Sequence, residues 1–341
     1  MGGTSAERDV SLATGREIAR ALRQGGHEAV GIDAADGRLI GGPQASGELA
    51  SAIERMPPER GELVQLAGGQ LTRSLEQSPD LQGTEAVFIA LHGGAGEDGR
   101  LQALLELIGM PYTGSGPLGS ALAMDKLVAK ELFVSAGIRT PPWLVAPVGS
   151  TAVESALGGF PVVVKPSHEG STVGVSVVRS AEELQGAIEQ AAAFDGVPIV
   201  ERFIPGRELA VGVLGDEALP VVEIRPRHEI YDYECKYTRG MSEYEVPAPL
   251  SPECTEEVQS LALKAHRVLR LYAYSRVDMR LDHESRPWCF EVNSLPGMTA
   301  TSLLPKAAAA AGISFEELCE RIVRLALVRE RPTGTRPGGP G

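Results

Sequence analysis

The sequence predicts an α/β protein, and three observations carry that prediction. Runs of Val, Ile and Phe alternate with helical patterns along the 341 residues. Glycine-rich turns follow strand-like runs at 92–99 and 165–174. Near the C-terminus, 274–281 and 287–293 read as neighbouring strands. Residues two apart in a strand face the same side, so Arg276 projects with Asp278 and Glu291 with Asn293. The length suits two or three packed domains.

Taken in order, the chain opens on a Gly-rich turn. A helix over 11–24 follows, with Ile18 and Leu22 one turn apart and Gly25 and Gly26 as its stop. Residues 28–32 read as a strand. The polar, Gly-rich stretch 34–84 is expected to hold short helices near 47–55 and 64–76. Residues 86–91 form a buried strand feeding the loop 92–99, then a helix over 100–108. One helix is expected over 117–136, ended by Gly137. Strands at 160–165 and 173–178 flank a glycine loop. A helix at 180–193 and strands at 197–202, 207–214 and 219–224 lead into a loop at 227–250. A helix at 252–270, the two C-terminal strands, and helices near 301–310 and 313–327 complete the chain. The Pro- and Gly-rich tail from Arg329 is expected to be disordered.

Composition excludes several classes. The formal net charge of −13 argues against nucleic acid, because phosphate contacts demand a basic face. No apolar stretch approaches the ~20 residues that span a bilayer, so no membrane role is expected. The N-terminus shows neither a basic region with an apolar core nor a myristoylation pattern, so a soluble protein is expected. Cys235, Cys254, Cys289 and Cys319 are scattered, so neither zinc nor a disulfide framework is expected, and a reducing, cytoplasmic location is. Of 32 basic residues only six are lysines: 126, 130, 165, 236, 264 and 306. In a chain that otherwise uses Arg, a lysine inside a motif marks a place for a compact ammonium.

Two segments carry chemistry. In 165–174, Lys165 ends a strand and two glycines follow, so backbone N–H groups and a point charge can meet a phosphate. The sequence is not a Walker motif, since no G-K-[ST] opens a helix there. In the second segment, Asp278, Glu291 and Asn293 supply hard oxygen ligands suited to Mg²⁺ carrying a nucleotide's phosphates. The alternative for Asp278 is a surface salt bridge to a nearby Arg. The irregular stretch 294–302 then offers backbone N–H groups before a helix, a place for a carboxylate or oxyanion.

With those segments quoted, the chain resembles the D-alanine–D-alanine ligases of the ATP-grasp superfamily. The resemblance rests on 2–12, 92–99, 112–116, 124–126, 165–174, 231–237, 276–278 and 291–299, in order and reaching to about residue 327. It implies an ATP-grasp fold of three α/β domains: a Rossmann-like pre-ATP-grasp domain over 1–114, a central domain over 115–200, and a C-terminal domain over 201–328. The family also has a strand before the first glycine turn; the expectation is that Met1 is an internal methionine and the native chain starts some ten residues earlier.

The resemblance implies roles residue by residue. Lys126 and Lys165 would contact ATP phosphates, and Lys236, on a mobile loop, the γ-phosphate. Glu201 with the backbone of Phe203 and Ile204 would hold adenine, and Glu208 the ribose. Asp278, Glu291 and Asn293 would bind two Mg²⁺, with Mn²⁺ able to substitute. Glu7, Ser171 and Tyr237 would orient the first D-alanine and latch the loop. His92 and Ser302, with the Leu303 N–H, would receive substrate carboxylates, and Arg276 with the Gly297 N–H the tetrahedral oxyanion.

The implied reaction joins two D-alanines through an acylphosphate, for peptidoglycan precursors. It needs charge neutralisation and a water-excluding lid rather than a side-chain nucleophile. The lid is expected over 227–250, and its Lys236-Tyr237 pair implies D-alanine rather than D-lactate as acceptor. A homodimer is a family expectation. The alternatives are another ATP-grasp carboxylate–amine ligase, a D-alanine–D-lactate ligase, or an ATP-binding homologue with impaired catalysis.

Overall fold

The computed structural model describes residues 1–5, 7–35, 37, 39–40, 81, 83–194, 196–238, 240–299 and 302–329. The helices expected at 47–55 and 64–76, and the tail 330–341, lie outside the described residues. Helix α1 (Arg8–Gln24) buries Val10, Ile18 and Ala21 at helical spacing and starts three residues earlier than the apolar pattern suggests. Its N-cap residue Glu7 makes no capping bond with its side chain. Strands β1 (Gly31–Ile32) and β2 (Leu39–Ile40) form a small antiparallel pair, shorter than the strand read at 28–32. Beside them Met1 donates its amino group to Ile32 O, 2.9 Å, and accepts from Ala34 N, 2.9 Å.

The segment 86–91 is half-buried at 86–88 and buried from Ile89 to Leu91, and among the described residues it joins a single parallel bridge, Val87 to Tyr112. Its next ladder position is taken by a side chain: Ile89 N donates to Thr113 Oγ1 at 3.1 Å. After α2 (Arg100–Leu107), the expected single helix over 117–136 is two, α3 (Pro117–Met124) and α4 (Lys126–Ser135). Asp125 breaks them. Its backbone is extended, and its carboxylate caps α4 by accepting from Leu127 N and Val128 N.

A four-stranded antiparallel sheet follows, in the order β3-β6-β4-β5, from β3 (Trp143–Val145), β4 (Val162–Pro166), β5 (Ser176–Val178) and β6 (Pro198–Arg202). Helices α5 (Ser150–Leu157) and α6 (Ala181–Ala192) bury Val153, Leu157, Leu184 and Ile188 against Val162, Val164 and Val200. The opposite face of the same strands therefore presents Lys165 and Glu201. Both β3 and α5 are absent from the sequence reading.

The second sheet runs β10-β9-β7-β11-β12, from β7 (Arg207–Leu214), β9 (Val222–Pro226), β10 (Ser242–Glu245), β11 (Tyr274–Leu281) and β12 (Pro287–Asn293), with β8 (Glu217–Ala218) paired to β7. Leu209, Val211, Val277 and Met279 pack against α3, α4 and α8 (Pro252–Val268). Ala210, Leu214 and Ile224 face α9 (Leu303–Ala310) and α10 (Phe315–Val328). The stretch 227–250 is not all loop: it holds β10 and a five-residue helix, α7 (Tyr233–Tyr237). Arg329, read as the start of the tail, follows α10 and lays its guanidinium over the Tyr112 and Tyr272 rings, 5.2 and 5.4 Å from their centroids.

Candidate active site

With Val277 and Met279 committed to the core, Arg276, Asp278 and Arg280 of β11 must face the other side. Across the ladder Arg276 opposes Asn293 and Asp278 opposes Glu291, as the alternation predicts. The register then slips between Asp278 and Met279, and Met279 opposes Cys289. This bulge leaves Phe290 unpaired, so Phe290 and Glu291 both line the cleft while Cys289 and Val292 stay in the core.

Arg276 holds Asp278 bidentately, Nε to Oδ1 and Nη2 to Oδ2, each at 2.7 Å. The surface salt bridge weighed for Asp278 thus exists as a pair but not on the surface: the two side chains are 13% and 11% exposed. Burial opposes the guanidinium's charge, and Asp278 more than offsets it, so Arg276 stays cationic. Asn293 donates its Nδ2 to Asp278 Oδ2 at 2.9 Å, which turns its Oδ1 away from that carboxylate.

Three lysines meet this rail. Lys126 opens α4 with its N–H on Ser167 O, 3.1 Å, a consequence of the Asp125 break. Its Nζ lies 3.0 Å from Glu291 Oε1 and also donates to Glu169 O. Lys165 reaches Glu201 Oε1 at 2.6 Å and stands over the Phe290 ring. Lys236 comes from α7, its Nζ donating to Thr172 Oγ1 at 2.9 Å. Burial would push the Glu291 carboxyl up, but Lys126, Lys236 and Lys165 together hold it down at about 2. Burial lowers Lys236, with Glu291 pulling it back.

A cleft open to solvent, about 830 Å³ with its mouth included, lies between the two sheets. Lys126, Lys165, Glu201, Phe203, Ile204, Glu208, Lys236, Asp278 and Glu291 all line it. Glu208 sits on β7 with Arg280 Nη2 3.2 Å away; burial raises its carboxyl, Arg280 opposing and Asp278 adding to the rise. The side chain of Glu201 is held between two ammoniums, Lys165 and Lys130, the latter 2.9 Å from its Oε2. Burial works against that carboxylate, and the two lysines keep it ionised and its pKa lowered.

The remaining expected residues are not among those that line this cleft. Glu7, freed from capping α1, accepts the Ser171 hydroxyl. Ser171 and Thr172 both have left-handed backbones, φ 46° and 65°, costing ~1–3 kcal/mol each. The side chain of Tyr237, the third member expected there, lies outside the described residues. Ser302 caps no N–H of α9; its Oγ accepts from Thr299 N at 3.0 Å, and a Cβ on Gly297 would come within 2.8 Å of it. Leu303 begins α9 and is buried.

His92 is buried with both ring nitrogens engaged, Nδ1 to Leu295 O at 3.0 Å and Nε2 to Thr14 Oγ1 at 2.9 Å. Burial disfavours its imidazolium, but Glu97, with Glu7 behind it, raises the pKa. Nδ1 ties the ring to Leu295, and a substrate carboxylate would have to compete with Thr14 for Nε2.

Three residues escaped the sequence reading. Lys130 is fully buried one turn below Lys126, bonded to Thr140 Oγ1 at 2.9 Å and set over the Trp143 ring. The scarcity of lysine was a signal for it. Thr172 receives Lys236 and donates to Tyr231 O at 2.9 Å, so it ties 167–175 to the segment 231–236. No periodicity or spacing marks Thr172 or Tyr231.

Two family models cover the chain: "D-ala D-ala ligase N-terminus" matches residues 1–115 and "D-ala D-ala ligase C-terminus" residues 133–324. A D-alanine–D-alanine ligase of a Synechococcus species is 43% identical over 98% of this chain and 96% of its own. The enzyme of Geobacter sulfurreducens is likewise 43% identical, over 98% and 95%. A crystal structure of the Bacillus anthracis D-alanine–D-alanine ligase complexed with ATP superposes with a TM-score of 0.72 at 33% identity, covering 96% of this chain and 95% of that one. A charged cleft between two sheets, with its rail and lysines in these positions, and likeness along nearly the whole length converge: this chain belongs to the D-alanine–D-alanine ligase family.

Proposed function

We propose that this chain is an ATP-dependent, ADP-forming ligase that joins two D-alanines into D-alanyl-D-alanine for peptidoglycan precursors. The observation that carries this reading is the meeting of Lys126, Lys165 and Lys236 with the Asp278–Glu291 carboxylates in one cleft. A nucleotide lies there with its base along Glu201, Phe203 and Ile204, its ribose at Glu208 and its phosphates under the three ammoniums. The division at residues 114 and 200, a cytoplasmic location and a homodimer belong to the same reading.

The donor set fits Mg²⁺: Glu291 stays ionised well below neutral pH, and Asp278 and Asn293 flank it with further hard oxygens. Asp278, Glu291 and Asn293 would hold two ions, Mg²⁺ or Mn²⁺, which supply Lewis-acid neutralisation of phosphate oxygens. The chain's own residues do the rest. Glu7 and Ser171, with Tyr237, orient the first D-alanine so that its carboxylate faces the phosphates. Arg276, locked by Asp278, presents a fixed positive charge where an oxyanion develops, and the Gly297 N–H joins it. His92, Ser302 and the Leu303 N–H receive substrate carboxylates. Lys236 arrives with α7, which with 167–175 excludes water from an acylphosphate that water would hydrolyse.

Phosphate release by the purified chain with ATP and Mg²⁺, with and without D-alanine, tests the reading. It predicts release that depends on D-alanine and a product with the mass of D-alanyl-D-alanine. Release that ignores D-alanine overturns it, and faster ester formation with D-lactate overturns the acceptor assignment.

A further inference from the structure

Outside the cleft, one group of side chains among those described has the donors of a transition-metal site. We infer that His228, Asp232 and Cys235, on the lid just before Lys236, form a binding site for one ion of the zinc class. Each offers a ligand atom, and these atoms lie within 4.8 Å of one another. His228 stands two residues beyond β9, Asp232 is the N-cap of α7, and Cys235 is in its first turn. Asp232 already organises the set: Oδ1 accepts from Cys235 N at 2.9 Å and Oδ2 meets His228 Nδ1 at 2.7 Å.

Zinc bonds of about 2.0–2.3 Å in a tetrahedron place donor atoms roughly 3.3–3.8 Å apart. The group therefore needs shifts of about an ångström, within the reach of side-chain rotation. Imidazole nitrogen, thiolate sulfur and one carboxylate oxygen select zinc, cobalt or copper over magnesium. The all-oxygen set of Asp278, Glu291 and Asn293 has the opposite preference. The side chains of His228 and Asp232 are 41% and 33% exposed, which gives the ion a way in, while Cys235 supplies a dry wall.

Burial and the neighbouring Asp232 charge push the Cys235 thiol up, so without an ion it is protonated. On binding, the thiol proton passes to solvent, the His228 ring gives up its Nδ1 proton to solvent and carries one at Nε2 instead, and sulfur–, nitrogen– and oxygen–metal bonds replace the His228–Asp232 hydrogen bond. The sequence hides this set because cysteine spacing does not flag it: one cysteine is joined by a histidine and an aspartate across a β–α turn. An ion there ties the end of β9 to α7 and fixes the helix that carries Lys236. On the ligase reading, zinc then slows D-alanine-dependent turnover.

The test is a Co²⁺ titration of the full, chelator-treated chain in excess Mg²⁺, read by thiolate-to-cobalt absorption. The expected result is saturation at one equivalent, displacement by Zn²⁺, and loss of the band in Cys235→Ser. His228→Ala, at an exposed position that leaves the fold intact, weakens binding by about tenfold or more. Cobalt bound without a thiolate band, or with affinity unchanged in His228→Ala, overturns the site. The readout needs no ligase activity, so its failure and that of the ligase reading are separate results.

Discussion

The two halves of the cleft are held in different ways. The rail of Arg276, Asp278, Glu291 and Asn293 is part of an antiparallel ladder, with β11 paired on both sides. Beneath it Lys130, Glu201 and Lys165 are locked in a buried ion-pair set. The opposite half is the loop 167–175 and the segment 227–238 that carries α7, which reach each other through Thr172, Lys236 and Tyr231. Two left-handed residues stand in the first loop. The rail is preformed by backbone geometry, and the loops are closed by a few side-chain bonds. That difference suits a ligase whose charge-stabilising groups must be fixed while its substrates must enter and leave.

The largest effect is expected where the buried set is broken. Lys130→Met leaves Glu201 with one cation where it had two and should cost about 3–5 kcal/mol, read as a fall in unfolding free energy. A loss under about 1 kcal/mol would mean that Lys130 is a passive neighbour. Next is the rail itself. Arg276→Ala should lower kcat by roughly 10²–10³ while leaving nucleotide binding nearly intact. A comparable rise in KM for ATP with kcat unchanged would move Arg276 from oxyanion to substrate binding.

The rail was also what the sequence showed most clearly. Strict alternation in 274–281 and 287–293 left Arg276, Asp278, Glu291 and Asn293 one arrangement, and the ladder has it. The bulge at Phe290 was invisible because a slip of register needs the partner strand. The break at Asp125 was masked by apolar periodicity that runs on through it, although Asp before a helix start is a capping signal. Lys130 could be counted but not placed, since burial depends on Trp143 and Glu201 from other strands. Thr172 and Tyr231 meet only through tertiary folding.

A smaller, pH-dependent effect separates the rail's charge from its shape. The Glu291 carboxyl, ordinarily near 4.5, sits at about 2 in the fold. A depressed carboxyl contributes stability fully above about 4.5 and loses it as pH falls towards about 2. Denaturant unfolding of the chain and of Glu291→Gln should therefore converge across that window. Parallel curves would show that the three lysines do not hold the carboxylate.

The smallest effect belongs to the loops. Thr172→Val removes the hydroxyl that joins them and should cost about 1 kcal/mol in closure, a several-fold loss of kcat/KM with an unchanged melting temperature. An equal loss in unfolding free energy would show that Thr172 supports the fold rather than the closed state.

The contrast between a fixed rail and closable loops is tested most directly by amide hydrogen exchange across the whole chain. The measurement would compare the free protein with the protein given Mg²⁺, ATP and D-alanine. Slow exchange is expected in β11 and β12 in both states. Fast exchange is expected in 167–175 and 227–238, slowing only when all three ligands are present. Loops already protected in the free protein, or a rail that gains protection only on binding, would contradict it.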